Sequence, residues 1–346
     1  MAVGALSGCS STSSTGASAS PSQSVTAAGQ AVVVVSGFAA QSPFTTPTEA
    51  CKSGDPAGLS VSGFRASLLD GGYQVYTAPA QVGPGQISSY EGPGSFAQCP
   101  PALPESMTVN ALDPIDDGGA RLSNFVNYLN TEYGVTSVDF VAHSMGGLFT
   151  RSAIKALKDG KSAVSVRSLT TVGTPWEGSF AANIVTGAMP ESACGGQPSC
   201  KATVKQVKEL QATGKVKAPE QLTTAFLDGS NGQPGWNQAQ EGALSGVPVT
   251  LFAGDLLQLQ GGDPKVWPND GLIQQTSALA PGVSDAVLPH RQCFIRPDVH
   301  SAFFTEALKL KKDQALTYDP AVLDQINKTL ANVDTALEQP NRVGCP

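Results

Sequence analysis

Hydrophobic positions fall in short dense runs separated by polar or small residues. Ala31-Val-Val-Val-Val-Ser-Gly-Phe38 is a run of β-branched residues that reads as a buried strand, broken by Gly37 where it meets a loop. Val138, Phe140 and Val141 mark the end of a second strand, and Val164–Val172 and Val247–Ala253 supply two more. Helical spacing lies between them. Phe64–Asp70 predicts a helix ending at Gly71-Gly72, with a strand at Tyr73–Thr77, which makes one βαβ step. Gly118–Tyr133 places Leu122, Phe125, Val126 and Leu129 on one face, and Leu148–Leu157 is compatible with a helix. Phe303–Leu310 reads as a further helix. So does Asp319–Leu337, whose stripe of Val322, Ile326, Leu330 and Val333 is short enough to be intramolecular core. Strands alternating with helices predict an α/β class with a mostly parallel sheet flanked by helices.

Two stretches depart from this rhythm. Residues 78–117 are rich in Gly, Pro and Ser and read as a long surface excursion, with the next helix starting at Gly118. Residues 180–245 form an insertion without strand character, in which Thr203–Gln211 and Pro219–Leu227 are amphipathic. We read it as a helical cap over the site, able to exclude water and shape a pocket. At the amino end, Ser10–Ser24 is almost wholly Ser, Thr, Ala, Gly and Pro, a composition expected of a tether. The chain thus divides into a lipobox-like segment and tether at 1–28 and one folded domain at 29–346 that carries the insertion. Leu6-Ser-Gly-Cys9 resembles the bacterial lipobox, whose cysteine is lipidated after signal cleavage. A positive n-region is missing and the apolar segment is short. Either the start lies inside a longer signal and Cys9 tethers the chain to a membrane, or Cys9 is an ordinary residue of the tail.

Composition narrows the classes. A net charge of −7, with 14% charged residues, argues against nucleic acid as a partner. No uninterrupted apolar run reaches the roughly 18 residues of a membrane span. Glycine (37) and proline (25) are abundant enough to require many long loops around the regular core. Of seven cysteines, setting Cys9 aside leaves six, enough for three disulfides. The economical pairing is Cys51–Cys99, Cys194–Cys200 and Cys293–Cys345, one of about 15 connectivities, and it points to a secreted or extracytoplasmic protein. A reduced enzyme with scattered thiols is the alternative. No spacing resembles a zinc or iron–sulfur site.

The chemistry centres on Val138-Asp-Phe-Val-Ala-His-Ser-Met-Gly-Gly147. A strand turning directly into a helix leaves almost no room in the bend, and Ala142 and Gly146 meet that need. Ser144 then stands at the tip, and the Met145 amide points toward an incoming oxyanion. This is a nucleophile elbow of the α/β-hydrolase type with alanine in place of the first glycine. The Phe38 amide, in the loop after the first strand, is the second candidate oxyanion donor, with a plain strand-and-turn as the alternative reading.

A triad in hydrolase order needs an acid and then a base after the serine. Asp270, in Trp267-Pro-Asn-Asp-Gly271, fits the acid because its turn can hold the carboxylate toward the site. Asp255, directly after a strand, competes with it. There are three histidines. His143 adjoins Ser144, and its side chain should point away from a partner held across the pocket. His300, in the loop entering the Phe303 helix, is the favoured base, and His290 is the competitor. Gly173-Thr-Pro-Trp-Glu-Gly-Ser179 follows a strand, where ligands bind in such sheets. Trp176 is therefore a candidate for lining an apolar substrate pocket, with ordinary core as the alternative. In this scheme His300 takes the Ser144 proton, Asp270 orients the imidazole, and no metal or organic cofactor is required.

These segments resemble secreted bacterial lipases and esterases of the α/β-hydrolase family. Ala142-His-Ser-Met-Gly-Gly147 is similar to their Ala-x-Ser-x-Gly elbow, and Ser36-Gly-Phe38 to a His-Gly-Phe oxyanion loop, with serine replacing histidine. Gly173–Ser179 resembles their Gly-Thr-Pro-His-x-Gly-Ser segment, with Trp176 for histidine, and Asn269–Ile273 the segment carrying their catalytic aspartate. The similarity covers about 30–180 and 247–310. It implies a lipase or esterase acting on small-molecule or lipid esters. Phospholipase, amidase, acyltransferase or polyesterase chemistry would use the same triad, and a binding protein on the same fold would have lost a member of it. The structural calcium of some relatives is not carried over, since no set of carboxylates establishes it.

Overall fold

The computed structural model describes residues 1, 27–212 and 218–346. The expected lipobox cysteine, Cys9, and nearly all of the expected tether lie outside the described residues. Seven strands build one parallel sheet: β1 (Gln30–Val35), β2 (Val75–Thr77), β3 (Ser137–His143), β4 (Ser165–Val172), β5 (Val249–Gly254), β6 (Arg291–Arg296) and β7 (Arg342–Val343). Their spatial order is β7-β6-β5-β4-β3-β1-β2. The sheet therefore grows outward in both directions from the β1–β3 pair, where Val33 lies beside Phe140 and Val35 beside Ala142.

Alternation along β1 explains the layers. Ala31, Val33 and Val35 face one side, against α2 (Ile115–Tyr133) and α3 (Gly146–Asp159). Val32 and Val34 face the other, against α1 (Ser62–Asp70) and a carboxyl-terminal helix. Both faces of the strand are buried, which is why it reads as a continuous apolar run. The tail stripe Val322, Ile326 and Leu330 packs on this second face, as its spacing implies.

Helix α2 begins three residues earlier than the sequence suggests. Gly118 and Gly119 look like helix breakers, yet they lie inside it because α3 passes so close. A Cβ on Gly118 would sit 2.5 Å from the Phe149 ring, and one on Gly119 2.4 Å from Ser152. The helix sacrifices about 1 kcal/mol of propensity per glycine to allow that approach. The preceding excursion is less superficial than expected: Ala80, Phe96, Leu103 and Val109 are buried.

The insertion forms a helical cap: α4 (Phe180–Val185), α5 (Pro198–Ala212), α6 (Ala218–Gln221), α7 (Thr224–Asp228) and α8 (Trp236–Ala239), with a two-stranded turn between α7 and α8. The second helix expected here is two short ones, because the Thr223 side chain accepts the Phe226 N–H and starts α7 afresh. Beyond the cap come α9 (Gln275–Leu279), α10 (Ala302–Leu308) and α11 (Pro320–Ala331), the last capped by Asp319. Disulfides join Cys51 to Cys99, Cys194 to Cys200 and Cys293 to Cys345, in the economical pairing. The first ties back the excursion, the second closes the start of α5, and the third pins the chain end to β6. Among the described residues, no helix is long and apolar enough to cross a membrane.

Candidate active site

The carboxyl ends of the parallel strands carry the site, as the topology of such sheets dictates. β3 ends at His143 and α3 starts at Gly146, so the turn between them is two residues long. Ser144 takes a left-handed conformation there, φ 58°, which holds its side chain at the apex. The bend has no spare volume. A Cβ on Gly37 would lie 2.7 Å from the Ser144 Cβ and 2.9 Å from the Met145 nitrogen. The Thr174 hydroxyl donates to the Ser144 carbonyl oxygen at 2.8 Å and fixes the turn from the β4 side.

The three chemically expected residues converge. Ser144 Oγ stands 2.9 Å from His300 Nε2, and His300 Nδ1 stands 2.7 Å from Asp270 Oδ2. All three are buried. The second carboxylate oxygen of Asp270 accepts the backbone N–H groups of Leu272 and Ile273, at 2.9 and 2.8 Å. The Asn-Asp-Gly turn thus aims Oδ2 at the imidazole. The His300 N–H donates to the Asp270 carbonyl oxygen at 2.7 Å, a second tie between the same residues. With the Nδ1 proton toward the carboxylate, Nε2 is free to accept from the serine hydroxyl. Asp255 is outside this chain of bonds and contacts Gln275. His290 lies at the opposite end of β5 and β6, its carbonyl oxygen taking the Val249 N–H.

His143 does not turn away as the sequence suggests. Its ring lies 4.6 Å from that of His300, and its Nε2–H donates to the His300 carbonyl oxygen at 2.9 Å. Burial first, and then the neighbouring His300 imidazole, hold His143 well below the ordinary histidine range, so it is a neutral donor. It steadies the backbone of the base. Adjacency to the serine is the only trace of this in the sequence, and it does not specify which carbonyl is reached.

Trp176 is core, not pocket. It is fully buried, and its indole N–H donates to the Thr171 hydroxyl at 3.1 Å. The Arg151 guanidinium lies 4.2 Å from the centre of its ring and 4.8 Å from that of Trp236, on α8. Arg151 is itself fully buried and donates to Asn237 Oδ1 at 2.8 Å. A tryptophan committed to a buried cation faces away from substrate.

The substrate surface lies elsewhere. A cavity of about 530 Å³ opens over Ser144 and His300, bordered by Phe38, Tyr90, Val207, Leu272, Phe303 and Phe304. A smaller one, about 20 Å³, reaches Ser144 from under the cap. The aromatic wall from α10 and Tyr90 gave little signal in the sequence, because Tyr90 sits in the excursion and Phe303 reads as helix core.

Next to Trp176, Glu177 joins the cap entrance to the loop after α9. Its carboxylate accepts the Gly282 N–H, and its carbonyl oxygen accepts the Thr224 hydroxyl at 2.8 Å. Burial, and then the Asp228 charge, push its carboxyl up from an ordinary 4.5 to about 7. Between these values the native chain holds a proton that the unfolded chain has released. This contribution is therefore full at low pH and is lost as pH rises through about 7. Glu177→Gln is expected to raise stability at pH 8 by about 1–3 kcal/mol, after discounting for partial exposure, and to change it little at pH 4. Thermal melts at the two values check this. Equal shifts at both would rule out the titration.

Residues 107–235 match the family described as an alpha/beta hydrolase of unknown function (DUF915). That segment includes Ser144 but neither Asp270 nor His300. No curated protein matches the chain. Among solved structures, the propeptide form of the lipase BlEst2 from Bacillus licheniformis is 14% identical at a TM-score of 0.50, over 92% of this chain and 53% of that one. The chain thus spans about half the length of that lipase form. A metagenomic carboxyl esterase, MGS0156, is also 14% identical at a TM-score of 0.50, over 92% of this chain and 79% of that one. At such identities the likeness is one of fold. The chain has α/β-hydrolase architecture, and the geometry of Ser144, His300 and Asp270 supports a serine-dependent hydrolytic enzyme.

Proposed function

We propose that the chain is a carboxylic ester hydrolase of the lipase–esterase kind, working through an acyl-enzyme on Ser144. The observation that carries this is the continuous Ser144–His300–Asp270 hydrogen-bond chain at the floor of an apolar, aromatic-walled cavity. His300 Nε2 takes the hydroxyl proton as Ser144 Oγ attacks the ester carbonyl, and Asp270 stabilises the imidazolium that forms. The Phe38 and Met145 amides receive the oxyanion. Neither donates to a protein acceptor among the described residues, and both border the elbow. Each donor of this kind contributes a factor of roughly 10²–10³. Water activated by His300 then releases the acid.

Apolar walls favour esters over charged substrates, and both named structural relatives are a lipase and a carboxyl esterase. The three disulfides support work outside the reducing cytoplasm. Lipidation of Cys9 would place the enzyme on a membrane surface. The test is turnover of p-nitrophenyl esters from two to sixteen carbons, together with peptide mass analysis after treatment with a p-nitrophenyl alkylphosphonate. Steady release of p-nitrophenol and one adduct, on Ser144, are expected. An unmodified Ser144 and no turnover would end the ester reading.

A further inference from the structure

Two cavities meet at Ser144 and differ in size, chemistry and relation to the base. Phe38, Ser144, Val207 and Leu272 border both. The large one, about 530 Å³, also has His300, Ser301, Phe303 and Phe304 in its wall. The small one, about 20 Å³, is closed by Pro175, Ala181, Ala182, Leu222 and Ile273, and His300 is not among its walls. Its side chains are buried: Ala181, Ala182 and Ile273 are 1–3% exposed.

Acyl transfer assigns a role to each. As Ser144 Oγ bonds to the carbonyl carbon, the π pair moves onto the oxyanion and the hydroxyl proton passes to His300 Nε2. Collapse of the intermediate breaks the bond to the alkoxy oxygen, which takes that proton from Nε2 as it leaves. The alkoxy oxygen must therefore lie on the His300 side, and the alcohol it carries extends into the large cavity. The acyl substituent, on the other side of the same carbon, is directed to the small one. A site that admits a water-sized group needs about 10–15 Å³ on this measure. The small cavity has room for little more than one such group.

Resting on the ester-hydrolase reading above, we infer that the enzyme is selective for short-acyl esters, acetyl or propionyl, of large apolar alcohols. Leu222 of the cap and Ala181 and Ala182 of α4 set the acyl limit. A long-chain triacylglycerol lipase needs the opposite arrangement, with a deep cavity on the acyl side.

Two isomeric esters separate the arrangements: octyl acetate and ethyl octanoate have the same composition, and both release a primary alcohol. Wild-type kcat/KM is expected to favour octyl acetate by at least about tenfold, the scale on which a pocket discriminates between alkyl groups. Leu222→Ala, which opens the small cavity, is expected to reduce that ratio. Because the ratio is taken within one sample, the folded fraction cancels. Equal rates, or a preference for ethyl octanoate, would overturn the short-acyl assignment while leaving ester hydrolysis intact. An unchanged ratio in Leu222→Ala would overturn the assignment to this cavity. Turnover of neither isomer, nor of any p-nitrophenyl ester, would remove the ester reading itself and this inference with it.

Discussion

Ser144→Ala is expected to lower kcat on p-nitrophenyl acetate by roughly 10⁵–10⁶, with KM close to wild type. The loss should fall on chemistry and not on folding. Alanine retains the Cβ that serine already holds at φ 58°, so the backbone strain of the turn is unchanged. What disappears is the nucleophile and a single hydrogen bond to His300 Nε2. Initial rates with a thermal melt of the same preparation check both halves. A variant keeping more than about 1% of wild-type turnover would place the nucleophile elsewhere.

Asp270→Asn should cost about 10⁴ in kcat although every atom position is nearly conserved. The oxygen facing Leu272 and Ile273 accepts two backbone N–H groups, so the asparagine carbonyl oxygen takes that place. Its NH₂ is then turned toward His300 Nδ1, which must accept. The imidazole proton moves to Nε2, where the serine hydroxyl needs an acceptor, and proton transfer stops. Asp255→Asn is the matched control, expected within about threefold of wild type, since Asp255 contacts Gln275 and not the base. If the two variants were equally impaired, the acid would be misassigned.

The elbow, the triad and the disulfides were legible because each rests on local chemistry. A small-Ser-small turn after a strand announces itself at Ala142–Gly146, and only His290 and His300 follow the acid candidates. The Asn-Asp-Gly turn at 269–271 already contains the hydrogen bonds that aim the carboxylate. What was not legible depends on distant partners. Trp176 follows a strand just as a ligand-lining residue would, and Thr171 together with Arg151 and Asn237, on other elements, draws it into the core. Nothing in the Leu148–Leu157 run marks Arg151 as the residue that reaches it. Gly118 and Gly119 read as a helix limit because the Phe149 and Ser152 that require them are some thirty residues away. The small acyl cavity was equally hidden, since Pro175, Ala181, Leu222 and Ile273 come from four separate segments.

Arg151 also decides how an ester can reach the serine. Its guanidinium lies between Trp176 and Trp236, held by Asn237, and its Nε and Nη2 have no acceptor among the described residues. Lifting α8 away from α3 would part the cation from Trp236 and Asn237, leaving it the Trp176 ring and the Asp228 charge. Losing a buried hydrogen bond to a charged group costs about 1.5–3 kcal/mol. The α8 end of the cap therefore acts as a latched roof. The cavity over Ser144 is bordered by Tyr90 and Phe303 and by no residue of α8, so filling it leaves this latch closed.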